Sequence, residues 1–189
     1  MERASKAASK AQKSSQDWVE AGLLLLGQQG VEAVRVEALA RTLGVTKGSF
    51  YWHFRDRDAL LAAILAHWQT IATQAIIDRV DALGGTPAAR VTALIQTTSQ
   101  GKRGARVEHA IRAWGALDKQ ARAVLQVVDT RREEYVRSLL IEHGLAPARA
   151  AQRARILYLA LIGEFAWISH GGSASGASPW QELVRLVLS

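Results

Sequence analysis

The stretch GVTKGSFYWHF, residues 44–54, constrains the fold of this chain more than any other. Gly44 is typical of a residue that ends a helix, and Thr46 is a predicted N-cap of a new, short helix. Phe50 and Phe54 are four residues apart and therefore share one face, which we expect to be buried. The remaining aromatic and cationic side chains are left outside, where a chain gains nothing from exposing them unless a partner binds there.

A second short helix is predicted directly before this one. Val36, Leu39, Ala40 and Leu43 have helical spacing, and Gly44 ends the pattern. Two short helices joined by a glycine-containing turn form a helix-turn-helix. The first turn of the second helix offers a cation, bare backbone and a hydroxyl, which suits a phosphate-lined groove. These features predict DNA binding.

Residues 30–61, GVEAVRVEALARTLGVTKGSFYWHFRDRDALL, resemble the DNA-binding region of TetR-type (tetracycline-repressor-like) transcriptional regulators. The resemblance runs without gaps, and YWHF followed by a charged cap and a leucine pair is its most specific part. It implies an all-α protein of about nine helices. An N-terminal helix-turn-helix DNA-binding unit would precede a C-terminal helical domain for ligand binding and dimerisation, with one long helix bridging the two.

The predicted DNA-binding residues belong to the short helix and its flanks: Arg35, Glu37, Thr46, Lys47, Gly48, Ser49, Tyr51, Trp52, His53 and Arg57. Arg35 stands where relatives usually carry a capping Thr or Ser, and Arg57 where they place a phosphate-binding Lys. Both are therefore expected to bind phosphate. Glu37 has two interpretations, since it either accepts a hydrogen bond from a cytosine amine or is a solvated surface residue.

Composition limits the other classes of function. The chain has 189 residues, 49% hydrophobic and 22% charged, with three prolines, which indicates a globular and mainly helical protein. It contains no cysteine, so disulfides, thiolate metal sites and a cysteine nucleophile are excluded. The net charge is +7, but residues 1–60 hold nine basic and seven acidic residues. The total charge is therefore weak support for DNA binding, and the prediction depends on where the basic side chains lie.

No pattern in the sequence indicates an enzyme, a cofactor or a metal site. The five histidines are far apart, and neither GxSxG nor GxGxxG occurs. The N-terminus has no signal-peptide pattern. The most apolar run, residues 156–168, is too short to span a bilayer. We therefore expect a cytoplasmic protein that is not an enzyme and has no membrane partner.

The sequence divides into three predicted segments: a flexible basic arm at 1–14, a helix-turn-helix DNA-binding domain at 15–60, and a ligand-binding and dimerisation domain at 61–189. The arm lacks apolar periodicity, so we favour a flexible terminus. Contact with a phosphate or the minor groove is the alternative.

Several local features are also predicted from spacing. The expected N-caps include Ser14, Asp56, Thr86 and Asp118. The apolar period continues from Leu60 to Leu83, which predicts one helix of about six turns. Residues 101–104 are predicted to form a solvated loop, Glu133 and Arg137 to form an i,i+4 ion pair, and the last helix to follow residues 178–179.

The resemblance implies a ligand cavity among helices 4 to 8, counted from the N-terminus, that is, from the long bridging helix to the helix that contains residues 156–168. The predicted ligand-binding residues are large or polar side chains on or beside inward faces: Trp68, Ile71, Gln74, Ile95, Thr98, His109, Trp114, Tyr135, Glu164 and Trp167. Glu164 lies in an apolar run, where an unpaired carboxylate is costly. It either pairs with an Arg, including one across a dimer, which we favour, or contacts the ligand.

The run ILYLALIGEFAWI, residues 156–168, is apolar on nearly every side, and such a helix must be covered on every side. The predicted dimer interface comprises Leu157, Leu161, Phe165, Trp180, Leu183, Val184 and Val187. The resemblance likewise implies a four-helix bundle made by two subunits.

The resulting hypothesis is a ligand-responsive transcriptional regulator, most often a repressor, that binds a near-palindromic operator as a homodimer and is released by a small molecule. Its partners would be double-stranded DNA, a small-molecule effector and a second copy of the chain. The alternative is a DNA-binding regulator or architectural protein without a small-molecule inducer, controlled by a protein partner.

Overall fold

A computed structural model describes residues 13–99 and 101–189. Its elements are α1 Ser15–Gln29, a 3-10 turn Val31–Ala33, α2 Val36–Leu43, α3 Lys47–Tyr51, α4 Arg57–Gln69, a π-helical segment Thr70–Gln74, α5 Ala75–Leu83, α6 Pro87–Thr98, α7 Lys102–Leu117, α8 Lys119–Glu142, α9 Pro147–Ser169 and α10 Ala177–Leu188. Within these residues the fold is all-α, as predicted. The predicted basic arm lies outside the described residues except for Lys13 and Ser14.

The helix starts follow from local hydrogen bonds. Four predicted N-caps accept a hydrogen bond from the backbone N–H three residues later: Ser14, Asp56, Thr86 and Asp118. Asp17 completes a reciprocal capping pair with Ser14, whose backbone N–H it accepts at 2.8 Å. Thr46 is the N-cap residue of α3, as predicted, but its side chain makes no capping hydrogen bond.

The predicted long helix from Leu60 to Leu83 is continuous but not regular. At Thr70–Gln74 it widens into a π-helical turn that joins α4 to α5. Arg132 of α8 donates a hydrogen bond to the carbonyl oxygen of Ala72 in this turn, at 3.0 Å. Apolar spacing did not reveal the irregularity, because the hydrogen bond comes from a helix about sixty residues away.

Three further local predictions are wrong. Residues 102–104 open α7, for which Gly101 is the N-cap, rather than forming a loop. Glu133 pairs with Arg155 of α9 instead of Arg137, because α9 packs along that side of α8. The last helix begins at Ala177, before the predicted start.

Two clusters of buried side chains form the interior. The first is built from α1 to α4 together with α7 and the first half of α8; it contains Trp18, Phe50 and Ile64 with Ile111. The second joins α5, α6, the second half of α8, α9 and α10. The predicted boundary at residues 60 and 61 therefore passes through the first cluster, and the division into two domains stays a prediction.

Close helix packing fixes the N-terminal unit against the rest of the chain. A Cβ atom added at Gly27 of α1 would lie 2.7 Å from the Val107 side chain of α7. One added at Gly22 would lie 2.5 Å from Ile64 of α4. Glycine at both positions lets α1 approach two neighbouring helices, so that α1 sits against both α4 and α7.

One helical stretch in the described chain, Arg57–Leu83, is long and apolar enough to cross a membrane by length and composition alone. The buried core helix of a globular protein meets the same criterion. Here Leu60, Ile64, Leu65 and Trp68 are buried within the first cluster. Residues 156–168, the most apolar run in the sequence, do not meet this criterion of length and composition.

Candidate functional site

The short helix α3 has one buried face and one exposed face. Phe50 is completely buried and meets the ring of Trp18 edge-on, with the ring centroids 5.3 Å apart. Tyr51 is 63% exposed and Trp52 82% exposed. The inward position of Phe50 and the outward positions of Tyr51 and Trp52 are as predicted. Two large aromatic side chains are therefore presented to solvent on one short segment.

The first turn of α3 is accessible to solvent and includes two small residues. Lys47 and Gly48 are exposed, and Ser49 is half-buried. A Cβ atom added at Gly48 would approach only the Thr46 hydroxyl, at an ordinary contact distance of 3.7 Å. Packing inside the chain therefore does not require glycine here. Its effect is to leave bare backbone beside a cation and a hydroxyl.

His53 follows α3 and is half-buried. Its Nε2 atom is enclosed and has no hydrogen-bond partner within the described residues. Enclosed polar atoms are nearly always paired in folded proteins, so an unpaired one calls for an explanation. A partner bound at this surface is one way to supply the missing hydrogen bond.

Glu37 of α2 and Lys47 of α3 form an ion pair 2.5 Å apart across the helix-turn-helix. The hydrogen bond from Lys47 holds the pKa of the Glu37 carboxyl below its ordinary value. Both side chains are more than half exposed. Glu37 is thus a surface residue with a specific partner, and a phosphate bound by Lys47 would have to compete with it.

The two predicted phosphate ligands differ in their surroundings. Arg35 is exposed, and its Nε donates to the Glu32 carbonyl at 3.0 Å. Arg57 is half-buried; its Nε and Nη2 donate to the carbonyl oxygens of Val34 and Val31, both at 2.7 Å. Arg57 therefore joins α4 to the connection between α1 and α2. These bonds use the Nε hydrogen and one Nη2 hydrogen, so the two Nη1 hydrogens and one Nη2 hydrogen are left for the predicted phosphate contact.

A cavity of about 320 Å³ lies among α4 to α9. Its wall is mostly aliphatic and aromatic, and the apolar residues on it include Leu23, Trp68, Ile71, Ile76, Ile77, Leu94, Ile95, Val107, Val136, Leu157, Leu161 and Phe165. The π-helical turn contributes Ala72 and Thr73 to the same wall. This size falls in the range of small-molecule pockets, about 300–1,000 Å³.

One end of the cavity is polar because a buried ion pair lies there. Arg132 donates to both oxygens of the Glu108 carboxylate, at 3.0 and 3.2 Å. It also donates to the Thr73 hydroxyl at 3.1 Å and lies over the Trp68 ring, 5.4 Å from its centroid. Glu108 is 3% exposed. A single guanidinium therefore links α8, α7 and the π-helical turn.

A second ion pair continues this network away from the cavity. Arg112 donates to Glu108 at 3.0 Å and to Asp129 at 2.7 Å, and Tyr158 donates to Asp129 at 2.6 Å. Burial raises the pKa of the Tyr158 hydroxyl. Burial opposes ionisation of Asp129 as well, but the hydrogen bonds from Arg112 and Tyr158 outweigh it and hold the pKa of Asp129 below its ordinary value.

Five of the predicted ligand-binding residues lie on the cavity wall: Trp68, Ile71, Ile95, Thr98 and Tyr135. Gln74 does not, because it is exposed and donates to Asp78 at 2.6 Å. Trp167 is 62% exposed and donates to the Ser173 carbonyl at 3.1 Å. Neither side chain lies on the cavity wall, because the helix faces that carry these residues turn away from the cavity.

The remaining three predicted ligand residues also lie elsewhere. His109 and Trp114 line a separate groove beside α1, where the His109 ring packs edge-on against His170 at 4.9 Å. Glu164 is buried, but its carboxylate accepts hydrogen bonds from the backbone N–H and the hydroxyl of Ser175, both at 2.7 Å. Within the described residues, Glu164 is therefore satisfied by the loop before α10 rather than by an Arg of its own chain, and it does not lie on the cavity wall.

The polar residues at the end of the cavity, Glu108, Arg132 and Tyr158, were missed. A signal for them exists in the sequence. Arg132 falls on the inward stripe of α8, four residues after Val128, and Glu108 follows the buried Val107 in α7. A charged residue on an otherwise apolar stripe indicates a buried ion pair or a site.

Six of the seven residues predicted for the dimer interface are buried inside this chain: Leu157, Leu161, Phe165, Trp180, Val184 and Val187. Leu183 is half-buried and packs against the same core. The exposed large apolar residues of α9 are Ile156, Leu159 and Trp167. These predicted residues are therefore already packed within their own chain, because a helix apolar on all sides does not indicate which side its own chain covers.

Comparison with known proteins adds independent evidence on the N-terminal unit. Residues 19–64 match the family model described as "Bacterial regulatory proteins, tetR family". The HTH-type transcriptional regulator AcrR of Shigella flexneri is 38% identical over 61 residues, which are 32% of this chain and 28% of AcrR. The matched segment spans 28% to 49% of the first three curated relatives.

Solved structures extend the similarity to the whole fold. A putative transcriptional regulator from Saccharomonospora viridis in complex with choline is 16% identical with a TM-score of 0.73, covering 92% of both chains. The transcriptional regulator FadR from Bacillus subtilis in complex with stearoyl-CoA is 13% identical with a TM-score of 0.69, covering 93% of this chain and 98% of FadR. At these identities the likeness concerns the fold alone.

Proposed function

We propose that this chain is a cytoplasmic, ligand-responsive repressor of the TetR family, whose family model its residues 19–64 match. In this proposal a homodimer binds a near-palindromic operator through α3. A small molecule that enters the cavity then releases the protein from DNA.

One observation carries the proposal: a single continuous helix takes part in both the DNA-binding unit and the cavity wall. Leu60 and Ile64 of α4 are completely buried in the cluster that also contains Phe50 of α3. About two turns after Ile64, Ile71 and Thr73 line the cavity. A molecule that displaces the π-helical turn would therefore move the helix that supports α3.

Arg132 is the side chain that holds this turn to the body. It donates to the Ala72 carbonyl and the Thr73 hydroxyl while its charge is paired with Glu108. π-helical turns within α-helices occur frequently at functional sites. We expect the turn to have two arrangements, one with α3 placed for DNA and one without.

The exposed residues of α3 support the DNA-binding part. Lys47, Gly48, Ser49, Tyr51 and Trp52 lie on one accessible surface, with Arg35 nearby in the chain. Two such surfaces about 34–36 Å apart would fit successive major grooves of one duplex. An effector must bind more tightly to the arrangement that does not fit DNA, because a ligand with equal affinity for both arrangements does not change their populations.

The structural neighbours support the effector part, since two of them contain a small molecule: choline in one and stearoyl-CoA in the other. The largely apolar cavity of this chain is a suitable place for a small molecule. These observations favour a small-molecule effector over control by a protein partner.

The experiment is selection of bound duplexes from the chain's own genomic DNA, followed by affinity measurements on a selected operator. Tyr51→Ala should weaken operator binding about tenfold or more, equivalent to about 1.4 kcal/mol, while leaving the dimer intact. Leu117→Ala is the matched control, because Leu117 is 90% exposed on α7, away from α3. Equal affinities of the two variants, or failure to select any duplex, would contradict the proposal.

A further inference from the structure

We propose that the effector is an uncharged, largely apolar molecule with one hydrogen-bond acceptor, such as a ketone or amide carbonyl, and that Arg132 binds this acceptor. The inference rests on the proposed function, because it names the class of molecule that fills the cavity. It follows from the charge balance and the hydrogen bonds at the polar end.

The charges at the polar end already cancel. Arg112 and Arg132 face Glu108 and Asp129, and each guanidinium contacts the Glu108 carboxylate. A ligand of either sign would add one unbalanced charge to this enclosed space, which is costly in a low-dielectric interior. An uncharged ligand leaves the balance as it is. The rest of the wall is apolar and favours an apolar body.

A cationic ligand would find no free carboxylate among the described residues of the cavity wall. Both oxygens of Glu108 accept hydrogen bonds from arginine. The Trp68 face, which could bind an ammonium group, is occupied by the Arg132 guanidinium at 5.4 Å. The Tyr135 hydroxyl donates to Asp81 at 2.6 Å. A choline-like molecule is therefore disfavoured here, in contrast to the Saccharomonospora viridis neighbour.

An acceptor has a clear place to bind. Arg132 donates to the Tyr158 hydroxyl at 3.5 Å. Its two other hydrogen bonds to uncharged groups go to the Ala72 carbonyl at 3.0 Å and the Thr73 hydroxyl at 3.1 Å. A ligand carbonyl can replace either of them without breaking the ion pair with Glu108. Because both groups belong to the π-helical turn, this exchange would break one of the two hydrogen bonds by which Arg132 holds the turn to α8. Recognition of the acceptor and loosening of the turn would then be one event.

The competing class is an amphipathic anion. Arg103 lies at the cavity wall near the start of α7, is exposed, and forms no ion pair within the described residues. An acid held by Arg103 would leave its apolar end against the Glu108–Arg132 pair. That arrangement would not exchange any bond of Arg132, so it provides no route to the π-helical turn.

The test uses the full chain, the uncharged fluorescent probe N-phenyl-1-naphthylamine and three competitors of equal chain length: 2-octanone, octanoate and octyltrimethylammonium. We expect 2-octanone to displace the probe at a concentration about tenfold below that of the two ions, a difference of about 1.4 kcal/mol. Failure of the probe to bind, or equal or better displacement by either ion, would overturn the inference.

Two variants test the role of Arg132. Arg132→Lys keeps the charge but loses the fork of donors, and should reduce the preference for 2-octanone over octanoate. Arg103→Ala is the control and should leave that preference unchanged. If Arg132→Lys does not fold, Thr73→Val removes one competing acceptor without touching the ion pairs and should tighten 2-octanone binding. An unchanged preference in Arg132→Lys, or unchanged binding in Thr73→Val, would contradict the role.

Operator binding measured with the same compounds separates the two proposals. If 2-octanone binds preferentially but does not weaken operator binding, the ligand class stands and the proposed regulation fails. If octanoate or octyltrimethylammonium releases the operator and 2-octanone does not, the regulation stands and the ligand class is wrong.

Discussion

Packing within the chain does not explain why residue 48 is a glycine. An added Cβ atom would make only one ordinary contact, with Thr46. Glycine also lowers helix stability relative to alanine. A residue that weakens its own helix without relieving a clash is consistent with close approach of an external partner to the backbone.

Gly48→Ala should therefore separate stability from DNA binding. We expect the free energy of unfolding to rise by up to about 1 kcal/mol, because alanine is the better helix former. Operator affinity should fall about tenfold, equivalent to about 1.4 kcal/mol, because the methyl group holds the backbone away from DNA. Urea unfolding and operator titration measure the two effects. Gly104→Ala, also unobstructed but on α7, should leave operator affinity unchanged; equal effects of both would contradict a backbone contact at Gly48.

Arg57 is expected to stabilise the helix-turn-helix rather than to dominate phosphate binding. Arg57→Ala removes two hydrogen bonds to carbonyl oxygens and should lower the free energy of unfolding by about 2 kcal/mol. Arg57→Lys keeps the charge but cannot bond both carbonyls in the same way, so it should also be destabilising. Chemical denaturation of the three proteins measures this. A fully stable Arg57→Ala protein whose operator binding is less salt-dependent would support the phosphate role instead.

At the scale of elements, the π-helical turn is the feature with the clearest consequence. It adds width to the long helix where that helix forms the cavity wall, between α4 in the first cluster and α5 in the second. A π-helical turn holds one residue more than the α-helical turn it replaces. Removing one exposed residue there would restore a regular helix while keeping both flanks in register.

Deletion of Thr70 should therefore give a folded protein that still binds its operator but no longer responds to a molecule in the cavity. Deletion of Ala66, which lies in the regular part of the same helix, is the control. It rotates everything beyond it by about 100° and should prevent folding, because the helix has 3.6 residues per turn. Circular dichroism and operator titration with and without 2-octanone distinguish the cases. A Thr70 deletion that keeps its response would exclude the turn as the coupling element.

At the scale of the whole molecule, the apolar residues that a second copy would cover are those left exposed on α9. Leu159 is 53% exposed and Ile156 is 55% exposed, whereas Leu157 and Leu161 are buried. Leu159→Glu should therefore give a folded monomer with weak operator binding, since an unpaired carboxylate in an apolar interface costs about 2 kcal/mol or more. Sedimentation equilibrium measures the association. Leu117→Glu is the matched control on another exposed leucine.

Leu161 lies two residues after Leu159 but on the buried side of α9, so the same substitution should have a different effect there. Leu161→Glu places a charge in the second cluster and should unfold the chain rather than only separate the subunits. A stable dimer of Leu159→Glu would show that the subunits associate through another surface.

The local features were well predicted where the decisive contacts lie within one helical turn. Ser14 and Asp17 cap α1 through bonds three residues apart, and the same reasoning identified Asp56 and Asp118. The exposed positions of Tyr51 and Trp52 also follow from spacing, because Phe50 must face the core. The predictions failed where a distant helix supplies the contact, as for the Glu133 pair.

The sequence by itself determined the all-α fold, four of the helix starts and the helix-turn-helix, because these depend on interactions between residues a few positions apart. Only the tertiary structure decided that Arg57 hydrogen-bonds to the connection between α1 and α2, that Arg132 hydrogen-bonds to a π-helical turn, and which side of α9 is exposed. The physical reason is that a charged or apolar side chain on a helix has several permissible partners. Packing of elements distant in the chain selects one of them.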